Sequence, residues 1–246
     1  MGKIIFNFFI IMILFSCNRN TETEYYDNGD IEAIHIITNG KRSDSSIYYY
    51  PNRNIAKILF YLKNDTIFEK DFSENSVLLS EGKNFKKKMT GKWKFYKENG
   101  KLDKILEYID LCDKEYLNQG WYFNENGDTI FDKSNFVNIK IDKDNFKVHK
   151  LYPIVFNYNK LFGGKSKIVV YFSTFVGEKF CDIEKIPVIA DSSYTSQIIS
   201  NFSFTKSGKK NLRGVILESI DSIAPGETKT QKAERMTYFD IPVTVK

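Results

Sequence analysis

The chain has 246 residues and a formal net charge of +5, with aromatic residues at 15% and few Gly and Pro. Spread over this length the charge is mild, and no nucleic-acid partner is expected. The abundance of Phe, Tyr, Ile and Val favours strands over helices. The one dense basic run, Lys86-Lys87-Lys88, is typical of a solvated hairpin face, with contact to anionic lipid headgroups or acidic glycans as the alternative.

The first sixteen residues have the pattern of a secretory signal. A basic start, Met1-Gly2-Lys3, precedes an almost unbroken apolar run from Ile4 to Phe15, which is shorter than the roughly 20 apolar residues of a spanning helix. The segment Leu14-Phe15-Ser16-Cys17 resembles the lipobox of bacterial lipoproteins. That resemblance implies that Cys17 becomes the acylated N-terminus of a protein anchored in the cell envelope, in the outer membrane where the cell has one. Residues 17–24 are polar and are predicted to be a tether.

Residues 25–145 are predicted to form a domain of stacked β-hairpins. An aromatic residue, an Asn-Gly pair or a relic of it, and an aliphatic residue recur in that order, with asparagines at Asn28, Asn52, Asn75, Asn99 and Asn126. The spacings of 24, 23, 24 and 27 residues are typical of repeated supersecondary units. Asn-Gly suits a two-residue type I′ turn, which needs positive φ at both positions, so each copy is predicted to contain such a turn. An ordinary meander with evenly spaced turns is the alternative.

The clearest copy carries a family resemblance. Residues 91–102 contain the pattern Gly-x-Trp-x-x-Tyr-x-x-Asn-Gly and resemble the MORN-variant repeat, with partial matches beginning at Asn39 and Gly120. The resemblance covers about residues 25–131 and implies stacked hairpins. Some relatives are labelled antitoxin components, which implies a protein partner without identifying it. Residues 101–117 also have apolar positions at helical spacing, so a helix is the alternative there.

Residues 146–246 are predicted to form an antiparallel β-sandwich. Apolar runs separated by Gly, Asp, Ser and Pro predict strands at 154–159, 167–172, 180–189, 195–204, 213–220 and 236–245. Pro242 cannot donate to a strand ladder, so the last strand is predicted to lie at an edge. The architecture resembles the immunoglobulin-like modules of bacterial surface lipoproteins, without a Cys…Trp…Cys signature. Both halves together predict an all-β protein.

No catalytic, cofactor or metal site is predicted. The only two histidines, His35 and His149, are far apart in sequence and are interpreted as surface or half-buried strand residues. The Gly-Gly-Lys-Ser segment at 163–166 is similar to the end of a phosphate-binding loop. However, Asn159 stands where the first glycine of that motif would be, so a turn is predicted. Cys112 and Cys181 are expected to be buried free thiols, with a disulfide between them as the alternative.

Three kinds of candidate site remain. Cys17 is the predicted lipidation site. Three Asp-Thr-Ile or Asp-Ser-Ile tripeptides resemble a short O-glycosylation signal of bacterial envelope proteins, and their hydroxyl residues are Thr66, Thr129 and Ser222. Aromatic residues of the clearest repeats are expected either to pack between hairpins or to form an exposed row that binds a sugar or a protein: Trp93, Tyr96, Trp121 and Tyr122.

These features favour a membrane-anchored envelope lipoprotein that acts, without enzymatic activity, as a binding or scaffold module through its repeat sheet and sandwich. Its expected partners are the lipid bilayer, through acylated Cys17, and a protein or glycan. An immunity or antitoxin-like lipoprotein that neutralises a toxin is the second hypothesis. An envelope glycan hydrolase is the third, because paired carboxylates can perform that reaction.

Overall fold

The computed structural model describes residues 19–142, 146–175, 180, 189–223 and 230–246. Over these residues the protein is all-β, with one long antiparallel sheet followed by two smaller ones, which confirms the predicted fold class. The first nine strands are β1 (Arg19–Tyr25), β2 (Ile31–Thr38), β3 (Lys41–Tyr49), β4 (Ile55–Tyr61), β5 (Thr66–Phe72), β6 (Leu78–Phe85), β7 (Lys88–Tyr96), β8 (Leu102–Leu111) and β9 (Lys114–Tyr122). A 3₁₀ turn at Phe131–Lys133 leads to β10 (Phe136–Lys140), β11 (Tyr152–Asn159), β12 (Lys167–Phe175), β13 (Ile189–Ser193), β14 (Gln197–Phe202), β15 (Gly208–Ile223) and β16 (Thr230–Val245).

Strands β1–β9 pair in chain order as a single antiparallel meander. β8 and β9 occupy the residues for which a helix was the alternative, so the strand interpretation is confirmed there. β1 covers most of the segment predicted to be a tether, because its residues pair with β2 from Arg19↔Thr38 to Tyr25↔Ile31. The N-terminal edge of the sheet is therefore built from residues that composition alone assigned to a linker.

The repeated turns all lie at the same ends of the strands, along one side of the long sheet. We call this side of strand ends the bulge edge, because a β-bulge follows each of its first four turns. Its connections lie at residues 26–30, 50–54, 73–77, 97–101 and 124–128. In the first, the N–H of Gly29 donates to the carbonyl of Tyr26 at 2.9 Å, and the other four repeat this bond. One position in each turn has positive φ, filled by Gly29, Arg53, Ser76, Gly100 and Gly127. The predicted type I′ turn is therefore wrong here: each is a three-residue loop, a type I turn closed by one left-handed residue.

The recurring asparagine acts through its side chain in these loops. Asn28 Oδ1 accepts from the N–H of Asp30 at 3.0 Å, and Asn52 and Asn99 make the same bond to the residue two positions on. Such a bond fixes a turn without requiring left-handed backbone at the asparagine itself. Three of the five recurring asparagines therefore stabilise their own loops, whereas in the last loop Asn124 Oδ1 accepts from the backbone N–H groups of Asn126 and Asp128 at 2.9 Å.

The opposite edge, which we call the lysine edge, carries the connections at residues 39–40, 62–65, 86–87 and 112–113. Three of them are two-residue turns with positive φ at both positions: Asn39-Gly40, Lys86-Lys87 and Cys112-Asp113. The type I′ turns of this sheet therefore lie here.

Cys112 is exposed and disulfide-bonded, so the expectation of a buried free thiol is wrong for it. Cys17 and Cys181 lie outside the described residues.

The C-terminal strands form two sheets, β10-β11-β14 and β13-β12-β15-β16, around one hydrophobic core. Alternate residues of the central strands enter this core, including Ile154, Phe156 and Tyr158 of β11 and Val170 and Phe172 of β12. Alternation is what two facing antiparallel sheets require. Because β10 pairs with β11, the sandwich begins at Phe136, ahead of the boundary predicted at residue 146. The predicted strand at 180–189 lies mostly outside the described residues.

Among the described strands, the order of pairing can be compared with that of a constant-type immunoglobulin domain. The first, second and fifth sandwich strands form one sheet, and the third, sixth and seventh belong to the other. The fourth strand, β13, pairs with β12, whereas in a constant-type immunoglobulin domain it would join the first sheet. β16 forms the edge next to β15 and contains Pro242, which confirms the predicted edge position.

The sheet and the sandwich meet where β9 approaches β16. Asn118 occupies the bulge of β9. Its Nδ2 donates to the carbonyl of Tyr238 at 2.9 Å, and its Oδ1 accepts from the backbone N–H of Tyr238 at 2.7 Å. Arg235 donates to the carbonyls of Leu117 and Asn118 at 2.6 and 2.8 Å and lies over the ring of Tyr116. The junction therefore includes a hydrogen-bonded contact between two edge strands, β9 of the long sheet and β16 of the sandwich.

Candidate functional site

The register of the long sheet sorts its side chains into two faces, because residues paired across neighbouring strands project to the same side. One continuous row crosses all nine strands: Glu24, Ala33, Tyr48, Lys57, Asp71, Ser80, Phe95, Lys104 and Tyr122. We call this side the cleft face. The row on the other side contains Ile34, Ile47 and Ile58 in its first half, and we call that side the isoleucine face.

The cleft face holds a concave site of about 610 Å³ over β2–β6, which we call the tyrosine cleft. Its walls combine aromatic, aliphatic and charged side chains: Tyr26, Glu32, Tyr48, Tyr49, Tyr50, Ala56, Lys57, Leu59, Glu69, Asp71, Phe72 and Leu79. Three of these, Glu32, Ala56 and Leu79, are the extra residues of the β-bulges. Since a bulge bends a strand and redirects its side chains, the repeat itself creates the concavity.

An ion cluster forms the polar floor of the tyrosine cleft. Lys57 Nζ lies 2.7 Å from Glu69 Oε1 and 3.2 Å from Asp71 Oδ1. Ser80 donates to Asp71 at 2.8 Å, and Asn84 donates to Glu69 at 2.6 Å. Burial alone would lower the pKa of Lys57, but the bond to Glu69 and the charge of Asp71 outweigh it and raise that pKa. The cluster is thus a fixed group of one cation and two anions rather than a pair of free carboxylates.

Two tyrosines of the tyrosine cleft connect one repeat to the next. Tyr26 donates its hydroxyl to the carbonyl of Tyr49 at 2.5 Å, and Tyr50 donates to the carbonyl of Phe72 at 2.7 Å. These positions are one repeat apart, so the same bond recurs along the sheet. Burial raises the pKa of the Tyr48 hydroxyl, whose ring packs edge-on against His35 at 5.4 Å. The rings are therefore held in place before any ligand arrives, which reduces the entropy lost on binding.

His35 is the residue whose environment sequence reasoning missed. It is fully buried, with Nδ1 2.7 Å from Ser46 Oγ and Nε2 3.2 Å from Glu24 Oε1, and Ser46 lies 2.9 Å from the hydroxyl of Tyr61. The residue types match a Ser-His-acid triad. However, Ser46 is also fully buried, and the contact at Nε2 is close in distance but not aligned as a hydrogen bond. A nucleophile needs access to a substrate, so this group stabilises the sheet beside the tyrosine cleft.

The interpretation of His35 as surface or half-buried is therefore wrong, and one signal could have corrected it. In β2, Ala33 and His35 alternate with Ile34 and Ile36, so His35 shares a face with a small residue rather than with the isoleucines. That pattern places His35 on a packed face but does not reveal Ser46 or Glu24. The side chain of His149 is exposed, and its backbone N–H donates to the carbonyl of Phe204 at 2.8 Å.

The four aromatic candidates do not form one exposed row. Trp93 is buried over Gly82 and donates its Nε1–H to the carbonyl of Lys83 at 2.9 Å. Tyr122 shares the cleft face with Trp93, whereas Tyr96 and Trp121 lie on the isoleucine face. The structure thus gives Trp93 the role of packing, and an exposed row through all four residues is excluded by the register.

Tyr96 and Trp121 are partners of charged groups. Tyr96 donates to Glu81 Oε1 at 2.9 Å, and burial together with this carboxylate raises the pKa of Tyr96 to about 12. Trp121 stacks on Phe136 with ring centroids 5.6 Å apart, and Lys92 Nζ lies 4.4 Å from the Trp121 ring. Since Phe136 begins the sandwich, Trp121 helps to join the two parts of the molecule.

The remaining predicted residues lie in several places. Cys17 lies outside the described residues. Thr66 begins β5 at the lysine edge, Thr129 forms an isolated bridge with Phe123, and Ser222 lies near the end of β15. The segment 163–166 is a turn directly before β12, as predicted, and Ser166 Oγ lies 2.6 Å from the buried carboxylate of Glu218.

A smaller cleft of about 360 Å³ lies at the junction of β9 with the sandwich. Glu107 lines it and accepts from the side-chain amides of Asn118 and Gln119 at 2.8 and 2.6 Å. Gln119 Oε1 in turn accepts from the N–H of Val137. Because these polar groups are hydrogen-bonded to one another, their role is to hold the junction together. The tyrosine cleft is therefore the stronger candidate for a binding site.

The described residues contain no group of three or more His, Cys, Asp or Glu placed to hold a metal ion. Nowhere in the same residues does a helix have the length and hydropathy needed to cross a membrane. Comparison of the sequence with protein-family models and with curated proteins gives no match.

Proposed function

We propose that the protein is an envelope lipoprotein, anchored through acylated Cys17, that binds a protein or glycan partner in the tyrosine cleft. The observation that carries the proposal is the tyrosine cleft itself, a concave site of about 610 Å³ on the cleft face with fixed aromatic rings above an ion cluster. Ligand sites are typically concave, mostly apolar and provided with a few placed polar groups. The lipobox-like segment ending at Cys17 supports the anchor.

The chemistry of the tyrosine cleft suits a binding module. Tyrosine offers a large flat ring for a sugar or an apolar side chain and a hydroxyl for a hydrogen bond, and it is enriched among residues that dominate binding energy. Lys57, Glu69 and Asp71 provide one donor and two acceptors at fixed positions. The five matching loops at the bulge edge support the finer proposal that β1–β9 are MORN-like repeats.

The binding proposal is tested by capture of partners from the native envelope. Wild-type protein and a Tyr48→Ala variant are cross-linked in cells, purified, and compared by mass spectrometry. Tyr194→Ala is the matched control, because Tyr194 is 68% exposed and lies on the sandwich. We expect Tyr48→Ala to lower capture of the partner about tenfold or more, as for a residue central to an interface, and Tyr194→Ala to leave it unchanged. Equal capture by all three proteins would refute the proposed site.

The anchor is tested separately by labelling cells with radioactive palmitate. The wild-type chain is expected to take up label, and Cys17→Ser is expected to take up none and to leave the membrane fraction. Label in both proteins, or in neither, would contradict acylation at Cys17. Modification at Thr66, Thr129 or Ser222 is a further proposal, and peptides spanning these residues would carry a glycan mass.

A further inference from the structure

The lysine edge has a composition unlike that of the bulge edge. Its connections and the residues next to them contain more basic than acidic side chains, including Lys41, Lys63, Lys86, Lys87 and Lys88. At the bulge edge the acidic residues outnumber the basic ones, with pairs such as Asp27 and Asp30 in the first turn and Glu125 and Asp128 in the last. The long sheet is therefore polarised along its strands.

The turn at Lys86-Lys87 contains residue types that its backbone conformation disfavours. Lys86 and Lys87 have φ values of 49° and 67°, in the left-handed region where Asn and Gly are preferred. Both lysines are exposed at the tip of the hairpin. The tip of this hairpin therefore carries two positive charges at positions where Asn or Gly would fit the backbone with less strain.

Exposed apolar side chains lie among these lysines. Leu62 is 47% exposed in the connection between β4 and β5, and Phe85 is 36% exposed at the end of β6. Lys86 Nζ lies 5.2 Å from the centre of the Phe85 ring, so the lysine and the ring present one amphipathic tip. Aromatic and aliphatic groups beside lysines are the combination that binds the interface of a membrane with anionic lipids.

The proposed anchor emerges at the same edge. β1 starts at Arg19, which pairs with Thr38 immediately before the Asn39-Gly40 turn of the lysine edge. Cys17 precedes Arg19 by two residues, and two residues span at most roughly 7 Å. An acyl chain on Cys17 therefore brings the lysine edge to the surface of the bilayer, while strands of nine residues such as β3 and β7 hold the bulge edge roughly 30 Å away.

We infer that the lysine edge docks on anionic lipid headgroups of the membrane that holds the anchor, so that the long sheet stands on the bilayer with its bulge edge outward. This inference rests on the proposed acylation of Cys17 for its geometry. The basic turn is attracted to the negative surface, and the acidic bulge edge is repelled from it. Docking would orient the tyrosine cleft in a fixed direction above the membrane.

The test uses the full-length mature chain with Cys17→Ser, so that no acyl chain contributes. Its binding is measured by sedimentation with vesicles of phosphatidylcholine alone and of phosphatidylcholine with phosphatidylglycerol in equal parts. We expect binding to the anionic vesicles only, weakening as salt shortens the screening length from about 10 Å at 0.1 M to about 3 Å at 1 M. Failure of the protein to sediment with the anionic vesicles would overturn the inference.

Two variants locate the contact. Lys86→Asn with Lys87→Gly removes both charges and suits positive φ, so the fold is retained and we expect binding to fall about tenfold or more. Lys97→Asn with Lys101→Asn removes the same charge at the bulge edge and is expected to change binding little. Equal losses in both variants would overturn the inference. Palmitate labelling of the wild-type chain distinguishes failure of the anchor from failure of the docking, because it does not depend on Lys86 or Lys87.

Discussion

The sandwich and the long sheet are stabilised in different ways. In the sandwich, two sheets enclose a continuous core to which nearly every central strand contributes large apolar side chains. In the long sheet, the buried side chains include His35, Ser46 and Ser80 as well as Trp93 and Leu106. The sheet depends on strand pairing, repeated loops and ion pairs, with limited apolar burial.

This difference has consequences for folding and binding. A two-layer core couples distant strands, so the sandwich is expected to unfold as one unit. In a meander of repeats each strand contacts mainly its neighbours, so local openings are possible without loss of the whole. The same single-layer construction leaves the cleft face free to receive a partner. The following changes test the contrast, from the largest expected effect to the smallest.

Phe156→Ala should be the most damaging change. Phe156 is fully buried between Phe172 and Phe239, with ring centroids 5.6 and 5.3 Å away. Removal of a buried phenylalanine ring costs roughly 3–5 kcal/mol of unfolding free energy, which urea denaturation measures. Ile199→Ala is the control, because Ile199 is 59% exposed on β14. A loss no larger than that of the control would contradict a shared sandwich core.

Gly82→Ala should disturb the long sheet locally. A Cβ at this position would lie 2.3 Å from the Trp93 ring, so the ring must move. Overpacking of this kind costs roughly 1–3 kcal/mol. Hydrogen exchange should become faster in β6–β8 and stay unchanged in the sandwich. Gly164→Ala, where no atom lies within 4 Å, should have no such effect, and protection changes spread over both regions would argue against independent repeats.

Asn118→Ala should weaken the junction between the two regions. The side chain is 2% exposed and makes both bonds to the backbone of Tyr238. Loss of these two bonds, together with the bond from Asn118 to Glu107, costs roughly 1–3 kcal/mol. We expect calorimetry to show two separated unfolding transitions where the wild-type protein shows one. A single transition at an unchanged temperature would mean that Arg235 and Trp121 suffice to hold the junction.

Glu81→Gln should change the response of the long sheet to acid. Burial alone would raise the pKa of Glu81, but hydrogen bonds from Lys94 and Tyr96 lower it below the ordinary value. A lowered folded pKa contributes stability that is fully present above the unfolded pKa of about 4.3, and this contribution is lost as pH falls through the folded pKa. The variant should lose about 1 kcal/mol at neutral pH and show a shallower decline in acid. Glu98→Gln, at an exposed turn, should retain the wild-type profile.

Particular elements show where sequence reasoning succeeded. The asparagines at Asn28, Asn52 and Asn99 marked real loops because their side chains bond to backbone two residues away, an interaction within a short segment. Turn type was predicted wrongly because Asn-Gly serves both a type I′ turn and a type I turn closed by glycine. β1 was missed because a polar edge strand needs no apolar periodicity, only a partner to pair with.

The candidate site was less accessible from sequence. The tyrosine cleft draws on five strands, β2–β6, and its concavity comes from bulges whose positions depend on the register between neighbours. Trp93 looked like a candidate binding residue because an aromatic at that position in a repeat pattern can face either solvent or a neighbour. The glycine at Gly82 makes room for its ring, and only the pairing of β6 with β7 brings them together.

The sequence alone determined the all-β class, the period of the repeat, the edge position of Pro242 and the prediction that Cys17 is acylated. Each depends on chemistry within a few residues: side-chain shape, a missing N–H, a short bonded loop or a cleavage pattern. Tertiary structure decided the faces of the long sheet, the burial of His35, the tyrosine cleft, the junction through Asn118 and the opposite charge of the two edges. These depend on strand register, since a shift of one residue exchanges the two faces of a strand.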